Sequence, residues 1–345
     1  MAGTYLIPTA MLAGSAAERA VAAGTARRLA GGPVAFAGME SATRDIEGRG
    51  IRRPVQLADL DAAALAPFSA PPLPWAGFDL KRALIMGIVN VTPDSFSDGG
   101  DYADASAAAA RGIALAEAGA DILDIGGEST RPGSAPVSVA EEIGRVVPVI
   151  RALAEKGLCV SVDTRHAPVM AAAVEAGARI INDVTALTGD PESERVAAGS
   201  GAAIVLMHML GEPQTMQANP VYADVTLDLI DYFAARLARL EALGVGRSRI
   251  SLDPGIGFGK KDPHNLRLLN ELAAFHSFGC PITLGVSRKS FIGRLSRGEA
   301  PKERLAGSLT VAALGLAQGV QIVRVHDVPQ TFQMRAMVEA LRCWQ

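Results

Sequence analysis

A repeated alternation of short apolar runs and helix-favouring stretches constrains the fold of this chain more than any other feature. Eight runs of aliphatic residues each stop at a polar residue or a glycine, and stretches rich in Ala, Leu, Glu and Arg lie between them. Such runs are typical of buried strands, and the intervening composition favours helices. We therefore predict an α/β fold, a (β/α)8 TIM barrel, with strands near residues 83–90, 122–127, 159–164, 179–184, 203–208, 250–254, 282–287 and 322–326.

The first part of the chain does not follow this rhythm. Residues 1–66 combine a short apolar start, an Ala-rich stretch and a charged segment, which predicts a small N-terminal α+β appendage of unknown role. Because proline interrupts helices and central strands, we predict a linker or wrapped arm over residues 67–80, which contain Pro67, Pro71, Pro72 and Pro74. Residues 81–345 would then form the barrel domain.

Composition and charge limit the classes of partner. Because 33 Lys and Arg oppose 36 Asp and Glu, the net charge of −3 gives no reason to expect a nucleic acid. The apolar runs are too short to cross a membrane, so no membrane partner is expected. Three widely spaced cysteines form no CxxC pair, which suits a reducing compartment, and we expect a cytoplasmic protein. The histidines lack zinc-binding spacings.

The polar stops are candidate site residues, because the catalytic groups of a TIM barrel lie at the carboxyl ends of its strands. Asp163, Asn182 and Asp253 each end a run and would face one pocket from different sides. Two carboxylates and an amide can bond to a ring with amino and imino donors, such as the edge of a pterin or purine. For any one of the three, a helix cap or an ion-pair partner is an equally good interpretation; the three together favour a ligand.

Two polar loops follow the first two runs. Asn90 leads into VTPDSFSDGG (91–100), which is too long for a tight turn and suits a mobile active-site loop. The second run leads into GGESTRPG (126–133), whose hydroxyls, backbone donors and guanidinium suit phosphate oxygens.

Three later segments add an aromatic ring and cations. In DPGIGFGK (253–260), spaced glycines let the backbone approach a flat ligand, and Phe258 offers a ring face. The segment GVSRKS (285–290) places Lys289 and Ser290 at a predicted helix start, which favours anions. Strand alternation puts Arg324 and His326 on one side, so that with Arg131 they could clamp a diphosphate. We interpret His208 as packing in the pocket wall.

Together these motifs resemble the dihydropteroate synthase family. The resemblance covers roughly residues 83–342, mainly through MGIVNVTPDSFSDGG (86–100) and GGESTRPG, with VDT, INDV, DPGIGFGK, SRKS and RVHDV in support. It implies a transferase of folate biosynthesis that condenses 6-hydroxymethyl-7,8-dihydropterin diphosphate with 4-aminobenzoate, giving 7,8-dihydropteroate and diphosphate. It also implies a Mg²⁺ cofactor, inhibition by sulfonamides and a homodimer. Residues 1–80 lie outside the resemblance.

The resemblance implies a role for each matching residue. The pterin would be held by Asp163, Asn182, Asp253 and Lys289. The diphosphate would be held by Asn90, Thr130, Arg131, Arg324 and His326, and Asn90 would also bind the metal. The 4-aminobenzoate would be surrounded by Phe96, Pro132, Phe258, Lys289 and Ser290. The catalytic residues would be Asp163, Lys289, Arg324 and His326.

The expected chemistry is an SN1-like substitution, in which the bond to the diphosphate breaks before the arylamine attacks. Two alternatives remain. A pterin-dependent methyltransferase on a similar barrel would also place Asp and Asn against the pterin, although it would not need the diphosphate clamp. A non-catalytic pterin-binding paralogue would keep the barrel without turnover, although each matched motif position carries the expected residue type.

Overall fold

A computed structural model describes residues 3–91, 101–128, 137–212 and 215–343. Within these residues the chain forms a four-stranded and an eight-stranded sheet. All strand pairs of the smaller sheet are antiparallel. Together with two helices, this sheet forms an amino-terminal α+β unit. It contains β1 (Tyr5–Leu12), α1 (Gly14–Ala22), β2 (Arg27–Arg28), β3 (Ala35–Arg44), β4 (Gly50–Val55) and α2 (Ala62–Ser69).

The larger sheet is the predicted barrel. Its strands are β5 (Leu84–Asn90), β6 (Ile122–Gly126), β7 (Val160–Asp163), β8 (Ile180–Asp183), β9 (Ala203–Met207), β10 (Ile250–Asp253), β11 (Thr283–Leu284) and β12 (Ile322–Val325). All neighbours pair in parallel, in the order β10-β9-β8-β7-β6-β5-β12-β11, and a bridge between Leu252 and Ile282 joins the two edges. The TIM-barrel prediction is confirmed. The largest difference is at β11, which ends at Leu284, earlier than predicted, and is followed by a turn at residues 287–288 before the next helix.

Helices alternate with these strands and cover the outside of the barrel. They are α3 (Asp101–Glu117), α4 (Val139–Ala154), α5 (Ala167–Glu175), α6 (Ser193–Ser200), α7 (Val225–Ala242), α8 (Asp262–Asn270), α9 (Ser290–Leu295), α10 (Leu305–Leu316) and α11 (Val328–Cys343). Short 3-10 helices lie at Leu57–Asp59, Arg247–Arg249, Leu272–Phe278 and Pro301–Glu303. In the described part of the chain, no helix combines the length and apolar character that crossing a membrane would require.

Alternation along the strands divides their side chains between two environments. Residues such as Ile85, Leu123 and Val323 pack outward against the helices. Their neighbours at the amino ends of the strands, such as Ile122 and Ile322, pack together inside the barrel. Successive side chains of a strand point to opposite faces, so the next inward position on each strand lies closer to the carboxyl end. The apolar layer therefore supports the layer that carries the candidate site.

The proline-rich segment begins later than we predicted. Helix α2 continues through Pro67 to Ser69, so the start of the linker at residue 67 was wrong. Pro67 lies near the carboxyl end of this helix, where its missing N–H costs a single backbone hydrogen bond. The chain then crosses the amino end of the barrel, where the fully buried ring of Trp75 packs inside the strands and its Nε1 donates to the carbonyl of Arg249 at 3.1 Å.

The appendage packs against the side of the barrel. Its apolar core, including Phe36 and Phe68, extends onto Ala273 of the 3-10 helix Leu272–Phe278. A second apolar contact joins Ile7 of β1 to Leu227 of α7. The appendage is therefore continuous with the barrel core rather than tethered beside it.

Candidate active site

Polar side chains from five barrel strands meet at the carboxyl end of the barrel. Arg324 of β12 lies between two carboxylates, because its Nε donates to Oδ2 of Asp124 on β6 and its Nη2 to Oδ2 of Asp163 on β7, both at 2.6 Å. The Nδ2 of Asn182 on β8 donates to the same Asp124 oxygen at 3.1 Å. Asp253 of β10 completes the group and is buried. The structure thus brings together four of the predicted site residues.

Burial controls the charge of these carboxyl groups. It raises the pKa of Asp163 to about 7, with Arg324 opposing the rise and Asp124 adding to it. Burial also raises the pKa of Asp253, although its Oδ1 accepts a hydrogen bond from the backbone N–H of Gly255 at 2.7 Å. A carboxyl in a poorly solvated site disfavours its charged form unless donors or cations compensate. Donors on a ligand ring would supply this compensation.

Asp124 is a site residue that the sequence analysis missed. Its side chain is fully buried, and it accepts bonds from Arg324 and Asn182 through one oxygen. The signal was present, because Asp124 is a carboxylate inside an otherwise apolar strand, on the same face as Ile122. The predicted pterin residues Asp163, Asn182 and Asp253 each end a run, whereas Asp124 lies inside its run, three residues before the stop at Gly127.

A cation and an aromatic ring lie together on another side of the pocket. The Nζ of Lys289 is 3.7 Å from the centroid of the Phe258 ring. Lys289 is the N-cap of α9 and Ser290 is its first residue, so the predicted helix start is confirmed. The Oγ of Ser290 accepts a bond from Arg294 at 2.8 Å. A β-carbon at Gly257 would lie 3.3 Å from Lys289 Cδ, so a glycine there lets the loop approach the lysine closely.

Hydrogen bonds from a second lysine fix the loop that carries Phe258, and the sequence analysis also missed this residue. Lys260 is almost fully buried, and its Nζ bonds to Nδ1 of His208 at 3.0 Å and to the backbone carbonyls of His208, Gly255 and Phe258. Burial lowers the pKa of Lys260 to about 7, while burial and the neighbouring Lys260 lower the pKa of His208 to about 2. His208 also packs edge-on against Tyr232, as expected for a wall residue.

The predicted diphosphate residues are placed less uniformly. Asn90 is exposed at the end of β5, and its Oδ1 would lie 3.9 Å from a β-carbon at Gly126, near Asp163. The Nδ1 of His326 is 3.1 Å from Oγ of Ser287, which also accepts a bond from the His326 backbone N–H. The guanidinium of Arg324 bonds instead to the carboxylates assigned to the pterin side. A diphosphate would therefore have to share Arg324 with these carboxylates.

Four predicted site residues, Phe96, Thr130, Arg131 and Pro132, lie outside the described residues. Within the described ranges, His, Cys, Asp and Glu side chains form no group of three or more that could hold a metal ion. A magnesium ion needs few protein ligands when substrate oxygens and water complete its shell.

Comparison with known proteins agrees with this geometry. A sequence model of the family described as "Pterin binding enzyme" matches residues 86–326. Dihydropteroate synthase from Escherichia coli K12 is 47% identical over 263 residues, which are 76% of this chain and 93% of that protein.

Two solved structures are also similar. Yersinia pestis dihydropteroate synthase, solved as a complex with a sulfonamide drug, shares 45% identity and a TM-score of 0.73, covering 77% of this chain and 96% of that one. The Xanthomonas albilineans enzyme in complex with 7,8-dihydropteroate shares 42% identity and a TM-score of 0.70, with the same two coverages of 77% and 96%. With the barrel and its polar mouth in place, these similarities show that the chain belongs to the dihydropteroate synthase family of pterin-binding enzymes.

Proposed function

We propose that this chain condenses 6-hydroxymethyl-7,8-dihydropterin diphosphate with 4-aminobenzoate to give 7,8-dihydropteroate and diphosphate. The observation that carries the proposal is the polar cluster of Asp124, Asp163, Asn182 and Arg324 at the barrel mouth. It is found in a chain that is 47% identical, over 263 residues, to the E. coli dihydropteroate synthase. The family membership makes the chain a transferase of folate biosynthesis.

The pterin would bind among the buried carboxyl and amide groups. Asp163 and Asp253 can accept bonds from the amino group and ring N–H donors, and Asn182 can both donate and accept. These donors would compensate the ionised carboxyl groups for their lost hydration, so binding should favour the charged forms. Lys289 would reach the pterin from the aromatic side of the pocket, where it already lies against Phe258.

The reaction would proceed by breaking the C–O bond first, with its electron pair leaving on the diphosphate. Arg324 and His326 would hold the departing anion, and the reduced pterin ring would delocalise the positive charge left on the methylene carbon. An ionised Asp163 would stabilise that cation in a poorly solvated pocket. The arylamine nitrogen then forms the C–N bond and loses its proton. Phe258 and Lys289, with Ser290 at the start of α9, would form the described part of the aminobenzoate pocket.

A Mg²⁺ ion is part of this proposal. Asn90 fits the role of ligand, because it is exposed at the end of β5, its amide oxygen lies near Gly126 and Asp163, and hard cations prefer oxygen donors. The ion would neutralise charge on the diphosphate and so improve the leaving group. Of the described residues, the proposal assigns Asn90 alone to the ion, with the remaining positions left to phosphate oxygens and water.

Two further expectations concern the whole protein. We propose a homodimer through barrel helices, which is supported by exposed apolar side chains on three adjacent helices, Leu266 of α8, Leu295 of α9 and Leu314 of α10. We also propose a cytoplasmic location, because Cys159 and Cys280 are both buried free thiols, which are compatible with a reducing compartment.

The direct test mixes purified protein, Mg²⁺ and both substrates, and follows diphosphate and 7,8-dihydropteroate. Equimolar formation of both products is expected. If the protein binds the pterin substrate but releases no diphosphate, it is a non-catalytic paralogue. Methyl transfer from a methylated pterin, without diphosphate release, would indicate the methyltransferase alternative. A Lys289→Ala variant should lose at least about tenfold in kcat/KM, since it removes a charge from the pocket.

A further inference from the structure

An ion-pair cluster joins the appendage to the barrel beside the candidate site. Arg52 of β4 bonds through Nη1 to Oδ2 of Asp224 at 2.6 Å and through Nη2 to Glu271 at 2.9 Å. Arg267 of α8 reaches the same Asp224 oxygen at 3.2 Å. The Asp224 side chain is 1% exposed and the Arg52 side chain 13% exposed, so this pair is shielded from solvent. Shielded, bidentate pairs constrain geometry more strongly than exposed ones.

Asp224 also fixes the start of a helix. Its Oδ1 accepts bonds from the backbone N–H groups of Thr226 and Leu227, which makes it the N-cap of α7. The appendage approaches this cap so closely that a β-carbon on Gly50 would lie 2.3 Å from Asp224 Oδ2. Arg52 therefore holds the point at which the segment after β9 ends and α7 begins.

That segment in turn contacts the glycine-rich loop of the pocket. The hydroxyl of Tyr222 donates to the carbonyl of Gly259 at 2.7 Å, and Nε2 of Gln217 donates to the carbonyl of Gly257 at 2.6 Å. These two carbonyls flank Phe258, whose ring lies against Lys289. A continuous set of contacts thus runs from Arg52 through Asp224 and Tyr222 to the ring proposed to face the aminobenzoate.

We infer that the appendage acts as a clamp, in which Arg52 and Asp224 are positioning residues that hold residues 215–223 against the loop 254–260. This inference rests on the proposed function, and it gives residues 1–66 a role in substrate binding. If the clamp loosens, a smaller fraction of molecules holds Phe258 in its binding position, and the apparent affinity falls by that fraction. The chemical step in molecules that do bind substrate is unchanged.

The test compares Arg52→Met with Tyr5→Phe. The first variant removes the clamp, while the second removes the hydrogen bonds that the Tyr5 hydroxyl donates to Asp231 and accepts from Arg44, elsewhere on the same interface. Arg52→Met should raise KM for 4-aminobenzoate about fivefold with kcat within about twofold of wild type. It should also increase hydrogen exchange in residues 215–223 and 254–260. Tyr5→Phe should leave KM and exchange unchanged.

A second variant removes the dependence on how well Arg52→Met folds. Tyr222→Phe deletes the hydroxyl that bonds to Gly259 and keeps the ring, so it should raise KM in the same way with little change in melting temperature. A lower melting temperature for Arg52→Met with wild-type KM and exchange would overturn the inference, as would wild-type KM in Tyr222→Phe. Failure of the proposed function is distinguishable, because wild-type protein would then form no dihydropteroate.

Discussion

The two ends of the barrel interior use the same strands for opposite purposes. At the amino end, Trp75 packs among aliphatic side chains such as Met86 and Ile180. At the carboxyl end, inward positions on the same strands carry Asn182, Arg324 and other polar groups that bond to one another. On β8, Ile180 and Asn182 are two residues apart and belong to these two layers.

This difference separates stability from chemistry along the barrel axis. Apolar burial stabilises the folded state at the amino end, and this stabilisation does not depend on the orientation of single atoms. The carboxyl end buries charges that cost free energy and are stabilised by partners and by ligand. Substitutions at the amino end should therefore change folding with little effect on turnover, and substitutions at the carboxyl end should do the reverse.

Trp75→Ala should cause the largest free-energy change of the three predictions, and this change is in the free energy of unfolding. The fully buried indole would leave a cavity at the amino end of the barrel and lose its bond to the Arg249 carbonyl. Removing a buried Trp typically costs about 3–5 kcal/mol, which should lower the melting temperature by about 5–10 °C. At a temperature where the variant is folded, kcat/KM should stay within about twofold of wild type.

Trp75→Phe is the matched control, because it keeps most of the ring volume and should lose only part of this stability. Calorimetry and steady-state rates on both variants test the comparison. A folded Trp75→Ala protein with strongly reduced turnover would show that the two layers are coupled, and the separation would then be wrong.

Arg324→Met, at the carboxyl end of the barrel, should cause a smaller free-energy change, and this change is in the activation free energy of the reaction. It removes the cation shared by Asp124 and Asp163 and a proposed diphosphate ligand, so kcat/KM should fall about a hundredfold, equivalent to about 2.7 kcal/mol. The melting temperature should fall less than in Trp75→Ala, because Asp163, whose pKa is already raised, can take up a proton instead of remaining charged. Arg324→Lys should lie between wild type and Arg324→Met, since one ammonium cannot bond to both carboxylates in the same geometry. Near-normal turnover in Arg324→Met would show that Arg324 does not take part in the reaction.

Most of the barrel could be predicted because its signal is periodic and local. Each strand is a short apolar run, and parallel strands buried on both faces need no contact information to be recognised. The site followed from the same rule, because polar residues at strand ends such as Asp163 and Asn182 must converge. Asp124 was missed because it lies inside an otherwise apolar strand rather than at its end, and Lys260 because its environment depends on carbonyls of a folded loop.

Features that depend on distant contacts could not be predicted. Arg52 and Asp224 are separated by 172 positions, and nothing in the local sequence of either residue indicates the other. The orientation of Arg324 was also beyond reach, since alternation places the side chain inside the barrel without choosing between carboxylates and a diphosphate. Whether α2 continues through Pro67 depends on the residue at which the helix ends, and the local sequence does not show that residue.

The smallest effect is expected from pH, and it tests whether the carboxyl end is tuned by burial. Burial raises the pKa of Asp163 to about 7, and under the proposed function the ionised form would accept bonds from the pterin ring. The value of kcat/KM should therefore rise as pH increases through this range, falling to about a tenth of its maximum at pH 6. In Arg324→Met the rise should move to higher pH, because the guanidinium favours the ionised form. A rise complete below pH 5 in wild type, or unmoved in the variant, would show that Asp163 does not control binding.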